Sequence, residues 1–394
     1  MNKDILNTIN QDFISKNLDS DSAALLLKKH SEIELDVKVL LEQIESKKRS
    51  KKKLPNWFKT PRIYYPNKLN IEQTSSEITA EYKASLISGN SIIDLTGGFG
   101  VDCFYFSKQF KTVIHCEINE KLSHIVKHNF KQLKVKNIEA LTVDGISYLT
   151  NTSLKFDWIF IDPSRRHNSK GKVFFLSDCL PNVPEHLDLL FDHSNNIMIK
   201  TSPLLDLTIG INELKYVKTI YVVAVNNEVK ELLWILEKNA SETDIYIETV
   251  NLKVNGREPF SFNFNKEKAT KVVYSLPLTN LFEPNAAILK SGGFNSVSNQ
   301  LHIKKLHPHS HLYTSNDWNE FPGRAFKINE ILPYNKKKII EAGINKANIT
   351  TRNFPDTVIN IRKKLGIKDG GNLYIFATTN IDNEKILIVC SKMF

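Results

Sequence analysis

The chain has 394 residues, more than one ordinary hydrophobic core contains, which indicates two or three domains. It carries 53 Lys and Arg against 43 Asp and Glu, a net charge of +10 that favours a polyanionic partner such as nucleic acid, although a Lys-rich proteome gives the same balance. The four cysteines form no CxxC pair and no apolar stretch reaches 18 residues, which excludes a disulfide framework and a membrane span and predicts a cytoplasmic protein.

Residues 1–70 are predicted to form a helical region. The segments "SAALLLKKH" and "VKVLLEQIES" have apolar residues at helical spacing, and they lead into the charge run "KKRSKKK" at residues 47–53. Such a run is typical of a solvated helix end or linker, but it also suits contact with phosphates. Both interpretations remain open.

Residues 71–265 are predicted to form a doubly wound α/β domain. Short β-rich runs, among them "SIIDL", "TVIHCEI", "FDWIFID" and "NIMIKTS", alternate with helical stretches such as "NEKLSHIVKHNFKQL". The looser mixture of short strands and helices that follows predicts one or two small α+β domains, which we place at residues 266–324 and 325–394.

The segment "DLTGGFGVD" at residues 94–102 predicts a nucleotide-binding turn at the end of the first strand. A Walker loop requires Gly-Lys-Ser/Thr, which is absent here. The dinucleotide pattern G-x-G-x-x-G would begin at Gly98 and Gly100, but its third glycine is replaced by Cys103. The turn therefore suits neither ATP held by a Walker loop nor NAD.

S-adenosylmethionine fits the residues at the strand ends better. Backbone amides at Gly98 and Gly100 can approach its carboxylate, and Asp94 can interact with its ammonium group. Glu117, after the second strand, can accept from the ribose hydroxyls, and Asp144, after the third, from the adenine amino group. Thr96, inside the turn, and Asp162, after the fourth strand, are also predicted to bind the cofactor. Any single acid of this kind is more often a cap or turn residue; their order is what favours the cofactor.

The fourth predicted strand ends in "FDWIFIDPSRR", and this segment carries a resemblance to a known family. Together with "DLTGGFGVD", "IKTSPLLD", "EPNAAILKSG", "LHPHSHLYTS" and "FATT", it resembles the class I S-adenosylmethionine-dependent methyltransferases that carry a THUMP-like C-terminal domain. The resemblance implies a Rossmann-like sheet, a helical N-terminal region, and ferredoxin-like and THUMP-like modules. Because THUMP domains proper bind RNA, it also implies an RNA substrate, tRNA or rRNA.

The resemblance also implies roles for particular residues. Asp162 and the carbonyl of Pro163 would hold the acceptor, and Arg165 stands where an aromatic residue usually stacks on the base. Arg165 and Arg166 could instead pair with carboxylates. The segment before the first strand would close over the cofactor with Gln73, Ser75 and Ser76; alternatively, one of these serines caps the next helix.

Methylation at nitrogen is favoured over carbon 5 of a pyrimidine, because Thr201-Ser202-Pro203 and no cysteine come directly after the fifth strand, and Cys179 suits a buried, inert thiol. We expect no metal at His307, His309 and His311, which no carboxylate or cysteine accompanies; a turn or an RNA-facing surface is preferred. A non-catalytic RNA-binding factor with the same fold, or a methyltransferase of protein or small molecules, is the alternative.

Overall fold

The computed structural model describes residues 1–28, 30, 33–165, 175–318 and 320–393. The chain divides into two units, Met1–Val217 with Trp234–Ala240, and Lys218–Leu233 with Ser241–Phe394. Over the described ranges, no helix is both long enough and apolar enough to cross a membrane.

The N-terminal region of the first unit is helical, as predicted. Its helices are α1 (Thr8–Lys16), α2 (Ser22–Leu27), α3 (Val37–Lys53), α4 (Pro55–Lys59), α5 (Lys68–Gln73) and α6 (Glu77–Ser85). The first three, α1 to α3, pack around a small apolar core that includes Ile5, Ile14, Leu40 and Ile44.

The basic run at 47–53 forms the C-terminal half of α3 rather than a linker. Several of its cations bond within the unit: Arg49 lies 2.8 Å from the Glu72 carboxylate, and the Lys53 ammonium donates to the carbonyls of Ile71 and Glu72 at 3.0 and 2.7 Å. Cations at a helix C-terminus also interact favourably with the helix dipole. The run is therefore a helix end that is partly used to hold α5.

The α/β part of the first unit alternates strands and helices. The strands are β1 (Gly89–Asp94), β2 (Phe110–Cys116), β3 (Ile138–Leu141), β4 (Trp158–Ile161), β5 (Ser164–Arg165), β6 (Cys179–Leu180) and β7 (Asn196–Thr201). The helices are α7 (Val101–Phe106), α8 (Glu120–Gln132), α9 (Gly145–Asn151), α10 (Val183–His193) and α11 (Leu207–Glu213).

The large strands of this unit form a parallel sheet in the order β7-β4-β1-β2-β3. Side chains on both faces are buried, for example Ile92 and Ile93 on β1 and Ile159 and Phe160 on β4, as expected for a sheet covered by helices. Because β2 and β4 flank β1, the strand order reverses there and opens a crevice at the carboxyl ends. The doubly wound prediction is confirmed.

Glu77 ties the N-terminal helices to the sheet domain. Its buried carboxylate accepts from the Asn56 backbone and side chain at 2.6 and 2.7 Å and from the Tyr105 hydroxyl at 2.9 Å. Three helices, α4, α6 and α7, are thereby joined through one side chain. Burial raises the pKa of Glu77, and the hydrogen bonds it accepts oppose that shift.

The next strands are β8 (Val217–Val225), β9 (Glu228–Glu237), β10 (Tyr246–Lys253) and β11 (Gly256–Asn263), followed by the short α12 (Phe264–Glu267). β8 pairs in parallel with β10, and β10 pairs antiparallel with β11. The sequence predicted β8 and β10 but neither β9 nor β11, which are both strands.

The second unit ends in a seven-stranded sheet of order β13-β14-β12-β15-β18-β17-β16. Its first elements are β12 (Asn280–Pro284), α13 (Ala286–Ser291), α14 (Phe294–Gln300), β13 (Lys304–Lys305) and β14 (Tyr313–Ser315). Then come β15 (Gly323–Pro333), α15 (Lys336–Glu341), β16 (Lys346–Arg352), α16 (Val358–Leu365), β17 (Lys368–Thr379) and β18 (Lys385–Lys392). This mixture is the small α+β structure that the sequence predicts after residue 265.

Candidate active site

The glycine turn between β1 and α7 packs its backbone directly against β2 and α8. Gly97 donates to the Cys116 carbonyl at 2.8 Å, and a Cβ at Gly97 would lie 2.3 Å from the His115 ring. Gly100 has φ +79° at the start of α7, and a Cβ there would lie 2.6 Å from the Phe130 ring. Glycine is required at both positions because neither has room for a side chain.

Asp94 ends β1 and is almost fully buried beside the turn. One carboxylate oxygen accepts from the Thr96 amide at 2.9 Å, and the other accepts from the Cys103 thiol at 3.3 Å. Burial raises the pKa of Asp94 to about 7, with the nearby Asp102 and Asp162 carboxylates adding to the rise. The predicted ammonium-binding residue is therefore a carboxyl group that titrates near neutral pH.

Glu117 follows β2 and lies against the same turn. Its carboxylate accepts from the Gly98 amide at 3.0 Å and from the Asn119 amide at 2.6 Å. Burial raises its pKa, and both backbone hydrogen bonds oppose the rise. A Cβ at Gly98 would have only the Thr96 carbonyl nearby, at 3.8 Å, so the backbone there faces open space. The structure thus brings Gly98 and Glu117 together.

Asp144 follows β3 and caps α9, since its Oδ2 accepts from the Ser147 amide at 2.8 Å. A Cβ at the adjacent Gly145 would lie 2.4 Å from the Leu95 carbonyl oxygen, so this loop approaches the end of β1 closely. Asp144 therefore makes the helix-capping contact that the sequence analysis gave as the alternative role. It also lies at the edge of the sheet where an adenine-binding residue is expected.

Asp162 follows β4 and has two contacts that hold it at the sheet edge. Its backbone amide donates to the Thr96 hydroxyl at 2.7 Å, and its carboxylate forms an ion pair with Lys200 of β7. The side chain of Lys200 is 13% exposed and that of Asp162 is 31% exposed, so the pair lies in the crevice with the carboxylate on the more open side. Thr96 thereby links the glycine turn to the predicted acceptor-holding residue.

The residues after Asp162 extend away from the parallel sheet. Ser164 and Arg165 form the short β5, which pairs antiparallel with β6, and both are exposed. Arg166 lies outside the described residues. Cys179 in β6 is fully buried, and burial raises its pKa to about 11, so the thiol is protonated at neutral pH as expected of an inert cysteine.

The segment before β1 contributes one buried network. Ser76 caps α6 by accepting from the Thr79 amide at 3.3 Å, and Gln73 ends α5 exposed to solvent. Ser75 donates to Asp102 at 2.8 Å and accepts from the Lys83 ammonium at 3.2 Å. Ser76 thus has the capping contact, whereas Ser75 joins a buried cluster against α7.

The three histidines lie in a turn of the second unit. The His307 ring nitrogen accepts from the His309 amide at 3.1 Å, and His311 stacks on Phe294 with ring centroids 3.5 Å apart. Burial lowers the pKa of His311 to about 4. Within the described ranges, no group of three or more His, Cys, Asp or Glu residues could hold a metal ion.

Comparison with known proteins shows the family to which the chain belongs. A ferredoxin-like domain model matches residues 281–322, and a THUMP-like domain model matches residues 323–392. A solved structure named "putative methyltransferase from Porphyromonas gingivalis W83" is 31% identical, with TM-score 0.89, over 100% of this chain and 99% of that one. The chain belongs to this methyltransferase family. It is a class I methyltransferase that uses S-adenosylmethionine, with a THUMP-like domain, as predicted.

A second solved structure is more distant from this methyltransferase. TrmK of M. capricolum, in complex with S-adenosyl-homocysteine, is 16% identical with TM-score 0.33, over 41% of this chain and 68% of that one. No curated protein matches the chain.

The described residues of the methyltransferase fit its cofactor. The backbone at Gly98 faces open space, and carboxylates follow four neighbouring strands at one edge of the sheet. Ile118 is 73% exposed directly after Glu117, an apolar side chain beside a carboxylate, which suits the adenine and ribose of one nucleoside. When bound, S-adenosylmethionine supplies an electrophilic methyl group on sulfonium sulfur.

Sequence reasoning missed Lys200, Ile118 and the Lys83–Asp102 ion pair. Lys200 lies in the segment "IKTSPLLD", at the end of the strand beside β4. Its position at the carboxyl edge of the sheet could therefore have been predicted from the sequence. Ile118 stands next to the predicted Glu117. The Lys83 ammonium lies 3.1 Å from Asp102 and is fully buried. These residues are 19 positions apart in sequence, and no local sequence pattern predicts their contact.

We expect Glu117→Ala to weaken S-adenosylmethionine binding by about 1 to 3 kcal/mol, because it removes a charged acceptor and frees the Gly98 amide. Isothermal titration calorimetry measures the effect. Glu139→Ala, on the exposed face of the neighbouring β3, is the matched control and should bind like wild type. Equal affinity in both variants would place the ribose elsewhere.

Asp94 should make cofactor affinity depend on pH. An ammonium group stabilises the ionised carboxylate, so binding weakens as pH falls through the raised pKa of about 7. Affinity should increase about tenfold between pH 6 and pH 8, relative to Asp94→Asn, which lacks this titration. Dissociation constants of both proteins across this range test the assignment, and parallel pH profiles would contradict it.

Proposed function

We propose that this methyltransferase modifies a base of structured RNA, tRNA or rRNA, at nitrogen, with Asp162 and Pro163 holding the acceptor. The observation that carries the acceptor role is the position of Asp162 at the carboxyl edge of the sheet, joined to the glycine turn through Thr96. A carboxylate there can accept a proton from the target nitrogen and orient its lone pair. Orientation of this kind supplies most of the rate in simple methyl transfer.

The absence of a nucleophilic thiol supports nitrogen over carbon 5. The four cysteines are all buried, and burial raises the pKa of each, Cys116 and Cys390 to about 12. Attack on a pyrimidine ring requires a thiolate. None of these thiols suits that chemistry, whereas a carboxylate at the sheet edge suits a nitrogen acceptor.

The distribution of charge supports RNA as the substrate. Residues 323–394 contain thirteen Lys and Arg against six Asp and Glu, a net of +7 out of +10 for the whole chain. Exposed lysines concentrate on α15, on α16 and at the start of β17, where Lys336, Lys363 and Lys368 face solvent. A net charge of +7 therefore lies in the THUMP-like module, where it can contact phosphates.

Asp162→Ala should lower turnover by about a hundredfold or more, roughly 3 kcal/mol of barrier, while cofactor affinity stays within a few-fold. Transfer of labelled methyl groups to total RNA from a deletion strain measures turnover. Asp157→Ala is the matched control: Asp157 precedes the same strand and accepts from the Asn90 and Ser91 amides at 2.5 and 3.1 Å, at the opposite edge of the sheet.

The Asp157→Ala control should have a lower melting temperature than wild type but the same turnover per folded molecule. The opposite pattern, a folded Asp162→Ala enzyme with normal turnover, would end the catalytic assignment. A wild-type enzyme that labels protein or small molecules but no RNA would replace the proposed substrate.

RNA affinity should depend on salt through the C-terminal lysines. Replacing Lys336, Lys363 and Lys368 with Gln removes up to three phosphate contacts, so the log–log salt slope should become shallower by about 2 on single-stranded RNA. Lys51→Gln with Lys52→Gln, two exposed positions on α3, is the comparison and should change the slope less. A larger effect from the α3 pair would move the RNA contact to the N-terminal helices.

A further inference from the structure

The ion pair between Asp162 and Lys200 limits which nitrogen can be the acceptor. The two side chains end neighbouring parallel strands, β4 and β7, and meet in the crevice at the edge where the methyl group is expected. The Asp162 carboxylate is a hydrogen-bond acceptor, and the Lys200 ammonium is a donor. A ligand that approaches this pair therefore meets an anion and a cation side by side.

An exocyclic amine does not match this arrangement. Its nitrogen develops positive charge as it attacks the methyl group, and the Lys200 ammonium beside it would oppose that charge. A ring imide, the N–H beside a C=O of guanine or uracil, matches it. The carboxylate accepts a hydrogen bond from the ring N–H, and the ammonium donates a hydrogen bond to the adjacent carbonyl oxygen.

We propose that Lys200 is a second catalytic residue and that the acceptor is a ring imide nitrogen, N1 of guanine or N3 of uracil. This inference rests on the proposed function, because it specifies the nitrogen of the proposed RNA substrate. The N–H proton passes to the Asp162 carboxylate, and the negative charge left on the imide is stabilised at its carbonyl oxygen by Lys200. The N–C bond then forms while the S–C bond breaks, with its electron pair remaining on sulfur.

The burial of Lys200 strengthens its effect. Its side chain is 13% exposed, so its charge is screened less by water than a surface lysine's. Its backbone lies on a parallel strand whose neighbours Ile199 and Thr201 are buried, so the sheet fixes its Cα, and the ion pair with Asp162 holds the ammonium. A group held in this way costs little reorganisation when charge develops on the substrate.

The test compares wild type with Lys200→Met and Lys200→Arg, using labelled S-adenosylmethionine and total RNA from a deletion strain. Labelled nucleosides are identified by mass spectrometry after digestion. We expect 1-methylguanosine or 3-methyluridine as the product. Lys200→Met should lower kcat at least a hundredfold with KM for cofactor within threefold, and Lys200→Arg should recover part of kcat because it keeps the charge.

Lys215→Met is the matched control. Lys215 also pairs with an aspartate, Asp188 at 3.3 Å, but both side chains are largely exposed, so this variant should keep wild-type kcat. Cofactor binding and thermal melting report whether each variant folds. Should Lys200→Met fail to fold, Lys200→Gln, which is neutral but can still donate to Asp162, gives the same comparison.

The outcomes separate this inference from the proposed function. Label on an exocyclic amine, or a folded neutral variant with kcat within threefold of wild type, would overturn the inference and leave an RNA methyltransferase. Wild-type enzyme that transfers no label to RNA would overturn the proposed function and the inference with it.

Discussion

The close approach of backbone at the end of β1 is the constraint on which the active site depends. A Cβ at Gly97, Gly100 or Gly145 would lie 2.3, 2.6 or 2.4 Å from its nearest neighbour, so the turn after β1 packs directly on the His115 and Phe130 rings, and the loop after β3 packs directly on Leu95. Because these loops leave parallel strands of one sheet, the acids that follow the strands are brought to one edge. The glycines thus set the distances among the acids, and the acids set the chemistry.

This crowding also sets the protonation of Asp94. It is removed from water beneath the turn, which raises its pKa to about 7. The Asp162 carboxylate has a cation beside it and remains partly open to solvent. Two carboxylates at one sheet edge therefore have different environments. The buried one suits a ligand ammonium, which would compensate its lost hydration. The open one suits a proton taken from the substrate, which it can pass on to solvent.

The sequence predicted the parallel strands, the glycine turn and the acids after them, because these follow from local periodicity and from where a strand ends. It missed what depends on partners distant in sequence. The "EVKELLWILE" of β9 consists largely of good helix formers, so strand pairing overrode local propensity there. Lys200 lay in a quoted motif, but its significance comes from Asp162, 38 residues earlier. Likewise, only the structure distinguishes Ser76, a helix cap, from Ser75, a member of a buried network.

That network shows how the N-terminal helices bear on the site. Lys83 of α6 is fully buried, with its ammonium 3.1 Å from Asp102 of α7 and 5.8 Å from the ring centroid of Phe160 on β4. Removing one partner of such a pair leaves an uncompensated buried charge, which costs about 3 to 5 kcal/mol. Since α7 begins at Gly100 and β4 leads to Asp162, the pair connects α6 to both the glycine turn and the acceptor strand. The helix α6, which precedes β1, is therefore part of the framework of the active site.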